Sequence, residues 1–185
     1  MSVAAVVLAA GGSSRLGEPK QLVPLGEENL LERAVRVARE AGCEPVVVVL
    51  GASAELIRSQ CSLGDVRVLV NEGWEEGMAS SIRLGVGALS GVDGCVVMTC
   101  DQPAVTVGHL TRLIGDEVRA SRYAGRNGIP AFFPAAVFGG LMELRGDKGA
   151  RELLAGVGFV EFEGGELDVD TVGDLVRVRK LFGLL

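Results

Sequence analysis

The stretch VVLAAGGSSRLGEPKQL, Val6–Leu22, sets the terms on which the rest of the chain is read. An apolar run breaks off into two glycines, and two serines, Arg15 and Lys20 follow. An uninterrupted aliphatic run is what a strand buried on both faces needs. Gly11 and Gly12 let the backbone come close to a ligand and expose its N–H groups. Arg15 offers a planar fork to phosphate oxygens, and Lys20 a mobile point charge. A strand ending in such a loop points to polyphosphate binding, against the plainer reading of a βα turn with solvated charges. The loop is not a Walker A motif, because Glu18 follows Gly12-x4-Gly17 where that motif has lysine. Nor does it hold the G-x-G-x-x-G fingerprint, which weighs against a dehydrogenase.

Working outward, apolar strands alternate with helical periodicity. Strands are expected at Ala4–Leu8, Val46–Leu50, Val66–Val70 and Cys95–Thr99. Helices are expected at Asn29–Ala41, from Ser53 as cap to about Cys61, at Met78–Leu89 and at Thr106–Val118. Such a βαβα order with near-continuous apolar strands implies an α/β fold, a parallel sheet covered by helices on both faces. Beyond Ala120 the pattern loosens. Ser121–Ala124 is short and mixed, Gly125–Gly128 reads as a turn and Ile129–Phe133 as a strand. Pro134–Leu144 and Lys148–Leu154 look helical, Phe159–Glu163 and Leu167–Val169 read as short strands, and Thr171–Phe182 as a closing helix. With no linker or repeat, residues 1–185 are expected to form one domain.

Composition narrows the function classes. The net charge of −6 argues against nucleic acid held by bulk electrostatics, so an anion must meet a local cluster of cations and backbone donors. No run reaches the roughly 20 apolar residues of a membrane span, and the N-terminus lacks signal-peptide character. A cytoplasmic protein with no membrane partner is expected. Cys43, Cys61, Cys95 and Cys100 form no C-x-x-C pair and His109 is the sole histidine, a pattern that fits buried thiols better than a zinc site.

Ligands of open parallel sheets sit outside the carboxyl ends of the strands. In MTCDQP, Asp101 follows a strand directly. A carboxylate facing a polyphosphate implies a divalent cation between them, and helix or turn capping is the alternative. In ELDVDTVGDL, Asp170 supplies a second carboxylate, with Asp168 two residues away and on the same face if the segment is a strand. In NEGWEEGMASSIRLGV, Gly77, Ser80 and Ser81 open a helix whose N–H groups and hydroxyls suit a base edge or a phosphate. Capping by one of the serines is the alternative there, and packing is the expectation for Trp74. Arg126, Lys148 and Arg151 add cations to the second half, either around an acceptor or as solvated charge.

Together these segments resemble a known family. LAAGGSSRLGEPKQLVPL is similar to the signature loop of the MobA-like NTP transferases. With NEGWEEGMASSIRLG, DQPAV, GIPAFF and GDKGARELL in order, the chain resembles the MocA-type molybdenum cofactor cytidylyltransferases from about Val3 to Leu175. The resemblance implies a three-layer αβα sandwich with a mostly parallel, Rossmann-like sheet, the nucleotide-diphosphate-sugar transferase fold. It implies a nucleotide-binding half over 1–120 and an acceptor-binding, closing half over 121–185. The implied reaction moves CMP from CTP to the phosphate of a molybdopterin-type cofactor and releases pyrophosphate. Arg15, Lys20 and Asp101 would be catalytic. Leu8, Ala10, Gly11, Gly12, Ser13, Gly77, Ser80, Ser81, Arg126 and Arg151 would bind substrate, and Asp101 and Asp170 would hold Mg2+. A transient contact with a receiving molybdoenzyme or its chaperone is implied as well. Ala10 and Pro19-Lys20-Gln21 favour the cytidylyl over the guanylyl branch, while Ala79 and Val172-Gly173 depart from the usual pattern. Alternatives are GTP as donor, a sugar or polyol phosphate as acceptor, or a non-catalytic nucleotide-binding module that hands on cofactor.

Overall fold

The computed structural model describes residues 1–185, the side chain of Lys148 excepted. β1 (Val3–Ala9) is buried along its whole length. It pairs in parallel with β4 (Val46–Leu50) and with β6 (Gly94–Thr99), so that Val6 lies opposite both Val47 and Val97. β5 (Arg67–Val70) extends the sheet in parallel beyond β4. Beyond β6 come β8 (Arg126–Pro134), antiparallel to its neighbours, then β7 (Arg119–Tyr123) and β9 (Gly158–Glu161). A short hairpin of β2 (Pro24–Leu25) and β3 (Glu28–Asn29) stands apart.

Alternation along β1 divides the core in two. Ala5 and Val7 face one layer, with α1 (Leu30–Glu40), α2 (Ala54–Gln60) and α4 (Val107–Leu113). Ala4, Val6 and Leu8 face the other, with α3 (Met78–Gly87) and α5 (Phe138–Met142). This is the three-layer αβα sandwich. α3 lies close on the sheet because Gly85 has no side chain: a Cβ there would run into Val6 and stand 3.1 Å from Val49. A third cluster packs Leu175 and Val178 of α6 (Val172–Leu181) against Leu16, Val23, Leu25 and Leu30, directly beneath the first loop. No helix is long and apolar enough to cross a membrane.

Several expectations from sequence shift in the structure. Ser53 stands at the α2 N-cap position with φ of 56° and makes no capping bond. α4 stops at Leu113, because Ile114 turns extended before Gly115 and the chain leaves for β7. The mixed segment belongs to β7 as far as Tyr123, with an irregularity between Ala120 and Ser121. The turn expected at Gly125–Gly128 is only Ala124-Gly125, because β8 already begins at Arg126 and pairs back on Tyr123. Lys148–Leu154 is not one helix: two 3-10 turns, Gly146–Lys148 and Arg151–Leu154, are separated by Gly149 at φ of 55°. Pro134–Leu144 divides likewise into a 3-10 turn and α5. Leu167–Val169 is not a strand; it runs past the end of β6, where the Val169 N–H donates to the Asp101 carbonyl at 2.9 Å.

His109 serves the core. Its Nε2 lies 2.7 Å from Ser121 Oγ, whose hydroxyl donates to the Pro130 carbonyl, so the imidazole must be the donor. The ring stacks on Phe162 at 4.4 Å. Burial first, and Arg112 second, push its pKa down to about 4. The folded state therefore resists protonation: stability is full above the ordinary histidine pKa near 6.5 and is lost as pH falls from there toward 4. Between pH 7.5 and 5, urea unfolding should show the wild type losing about 2 kcal/mol more than His109→Gln. Equal pH dependence in the two proteins would contradict a neutral buried imidazole.

Candidate active site

Every strand on the parallel side of the sheet ends at the same edge, and the polar loops gather there. The first loop is fixed from inside. Gln21 is fully buried, and its Nε2 donates to the carbonyls of Ala9 at 2.7 Å and Gly11 at 3.2 Å. The Lys20 N–H donates to Ser13 Oγ at 3.0 Å. Among the described residues, the N–H groups of Gly11, Gly12 and Ser13 have no acceptor. Held in this shape, the loop offers backbone donors to an anion.

Two carboxylates meet one ammonium beside it. Asp101, at the end of β6, places Oδ2 2.5 Å from Lys20 Nζ. Asp170 stands just ahead of Thr171, which caps α6 in a reciprocal bond with Asp174. Its Oδ1 lies 2.9 Å from the same Nζ, and its Oδ2 lies 2.9 Å from Arg15 Nη2. Burial works against the Lys20 ammonium, but Asp101 and then Asp170 outweigh it and hold its pKa above the ordinary lysine value. Burial likewise opposes ionisation of Asp170, yet Lys20 and Arg15 keep its carboxyl below the usual aspartate range. Asp168 behaves oppositely. Burial, with Asp101 and Asp170 adding repulsion, pushes it up to about 6, and its Oδ1 has no hydrogen-bond partner among the described residues.

Two cavities adjoin this cluster. One of about 390 Å³ is bordered by Leu8, Ala10, Gly11, Lys20, Gly77 and Ser81. The other, of about 220 Å³, is bordered by Tyr123, Arg126, Asn127, Arg151 and Asp168. Met78, Thr99, Asp101 and Asp147 border both, so the cavities are contiguous across Asp101. Gly77 permits that junction: at φ of 116° it lies against Gly146 and Asp147, where a side chain would collide. Gly12 and Ser13 shape the loop without lining either cavity, and Arg15 reaches the cluster from an exposed position. His109 lines neither cavity.

The serines of α3 do not cap it. Gly77 holds the N-cap position, and Ser80 and Ser81 lie inside the helix, buried. The Asn71 amide donates to Ser80 Oγ at 2.8 Å and to Ser81 Oγ at 3.0 Å, and the Ser80 hydroxyl turns to the Gly77 carbonyl at 2.8 Å. Ser81 borders the larger cavity and Ser80 does not. Asn71 and Gln21 are thus braces that the sequence did not reveal, since their burial and their partners come only with the fold. The Lys148 side chain, the third cation expected of the second half, lies outside the described residues.

Asp101 Oδ2 and Asp170 Oδ1 converge on one cationic point, which the Lys20 ammonium occupies. No cluster of three or more His, Cys, Asp or Glu among the described residues is arranged to hold a metal. A divalent ion there would draw its other ligands from water and phosphate, the habit of Mg2+.

One family model, the MobA-like NTP transferase domain, matches residues 5–163, a span that takes in the first loop and Asp101 and stops short of Asp170. The chain belongs to the MobA-like NTP transferase family. That places it among the nucleotidyltransferases. It is 31% identical over 194 residues to purine catabolism protein PucB of Bacillus subtilis, covering 95% of each chain. It is 38% identical over 113 residues to nicotine blue oxidoreductase of Paenarthrobacter nicotinovorans; that match covers 60% of this chain and 55% of the relative, about half its length. Among solved structures, Rv0371c of Mycobacterium tuberculosis superposes with a TM-score of 0.87 at 37% identity, covering 97% of this chain and 98% of that one. A complex of Rv0371c with manganese superposes at 0.83, with 34% identity and coverage of 97% and 99%.

The brace makes a direct prediction. Gln21→Leu keeps the volume but leaves the Ala9 and Gly11 carbonyls without their donor, so urea unfolding should show a loss of about 1–3 kcal/mol. Unchanged stability would mean that the amide does not hold the loop.

Proposed function

We propose that this protein transfers CMP from CTP to the phosphate of a molybdopterin-type cofactor, with release of pyrophosphate. The observation that carries the reading is the convergence of Lys20 with Asp101 and Asp170 beside the free N–H groups of Gly11–Ser13. The order of motifs along the chain supports the choice of nucleotide and acceptor, with Ala10 and Pro19-Lys20-Gln21 favouring CTP over GTP. On this reading the triphosphate lies along the first loop, with its base toward Gly77 and Ser81 in the larger cavity. The acceptor lies in the smaller one with its phosphate toward Arg126 and Arg151.

An acceptor phosphate oxygen attacks the α-phosphorus in line. The new O–P bond forms as the bond to the β-phosphate breaks, and pyrophosphate leaves with the electron pair. The acceptor is already an anion, so no general base is required, and the only histidine is committed to the core. Lys20 and Arg15 neutralise charge gathering on the leaving pyrophosphate, and the Gly11–Ser13 N–H groups orient it. Mg2+ held by Asp101 and Asp170 would relieve the repulsion between acceptor and α-phosphate. Catalysis is then positioning and electrostatics, without a covalent intermediate.

Pyrophosphate release should be measured with Mg2+, molybdenum cofactor and each of CTP, GTP, ATP and UTP. Turnover with CTP is expected. A preference for GTP would change the branch. Turnover only with sugar or polyol phosphates as acceptor would change the substrate, and binding without turnover would leave a cofactor-handling module. Asp101→Ala should lose on the order of 10²–10³ in rate. Full turnover in that variant would remove Asp101 from the chemistry.

A further inference from the structure

We infer that Trp74 is a positioning residue for the triphosphate loop, a rigid prop that sets the height of Gly11–Ser13. The inference rests on the nucleotidyltransferase reading of the larger cavity. Trp74 is the sole tryptophan of the chain and borders that cavity. Its side chain spans two loops at the carboxyl edge of the sheet. At one end lies Gly51, after β4, where a Cβ would stand 2.7 Å from Trp74 Cβ and 2.8 Å from Cγ. At the other lies Gly12, where a Cβ would stand 3.1 Å from the far ring atom Cη2 and 3.4 Å from Cζ3. Both neighbours are glycine where nothing larger fits the indole without a shift. Gly11, one residue away, has no atom within 4 Å of its Cβ position.

The loop is therefore restrained at separate points with different chemistry. Gln21 pulls on the carbonyls of Ala9 and Gly11 from beneath. The indole bears on Gly12 from the side of β4. Between these restraints are the N–H groups that have no internal acceptor among the described residues. A prop matters most in a glycine loop, which otherwise loses the most conformational freedom on being ordered by a ligand. The alternative duty for an indole in this place is stacking on the base, and the two duties respond to different ligands.

Inorganic tripolyphosphate in Mg2+ buffer carries the phosphates without a base, and cytidine carries the base without phosphates. Tripolyphosphate alone should shift the emission of Trp74 in the unaltered protein. Trp74→Phe, which withdraws the ring atoms that reach Gly12, should weaken tripolyphosphate binding by about tenfold in titration calorimetry and leave cytidine binding unchanged. Gly12→Ala should weaken tripolyphosphate binding in the wild type but much less in the Trp74→Phe background, because the colliding ring edge is gone. Equal tripolyphosphate affinity in Trp74→Phe and wild type, an unshifted emission, or a loss confined to cytidine overturns the inference and leaves the nucleotidyltransferase reading standing. A wild type that binds CTP neither with nor without Mg2+ overturns both.

Discussion

The Lys20 ammonium, seated between the carboxylates of Asp101 and Asp170, ties together three distant parts of the chain. Two carboxylates at one sheet edge repel each other, and Asp168 shows the consequence, with a carboxyl pushed up to about 6 by burial and by those two neighbours. Asp170 escapes that fate because Lys20 and Arg15 outweigh its burial. The cations come from the first loop and the anions from the ends of the parallel half and of the whole chain. Each element must reach its place before this charge cluster can close. Removing one partner would leave a partly buried charge without its counterpart.

The scaffold serves that closure. β1 is aliphatic on both faces, so it is held at the centre of the sheet and its carboxyl end is fixed between those of β4 and β6. The loop that follows has little apolar content of its own, and support comes from below. Leu16, Val23 and Leu25 pack on α6, so the closing helix underpins the loop and brings Asp170 to Lys20. α3 approaches the sheet at Gly85 and abuts the loop of the second half at Gly77, so the two cavities share a wall. Membership of the MobA-like NTP transferase family agrees with this layout.

The parallel half was legible in sequence because its strands are short, nearly continuous apolar runs; Val46–Leu50, between Pro45 and Gly51, falls where its apolar run begins and ends. The second half was harder to read. β7 reads Arg-Ala-Ser-Arg-Tyr and is stabilised by two neighbouring strands rather than by its own pattern. Leu167–Val169 has the composition of a strand but joins no ladder; the Val169 N–H donates to the Asp101 carbonyl and the segment follows the site edge. Asp101 and Asp170 were expected together at the sheet edge and Lys20 opposite a phosphate; the pairing of the Lys20 ammonium with both carboxylates was not read from sequence. Nor was the inward turn of Ser80, because it depends on Asn71, whose amide was free in sequence to serve any partner. Buried polar braces such as Gln21 are hidden for the same reason: their role is set by which carbonyls the folded chain leaves open.

On the proposed function, Asp101 and Asp170 would hold one divalent cation whose remaining ligands a bound nucleotide supplies. Electron paramagnetic resonance of Mn2+, titrated into the protein with a non-hydrolysable CTP analogue, tests it without relying on turnover. Bound Mn2+ should appear with the analogue in the wild type and be lost in both Asp101→Asn and Asp170→Asn, each still folded by circular dichroism. Mn2+ held equally well by both variants in the presence of the analogue would contradict the account.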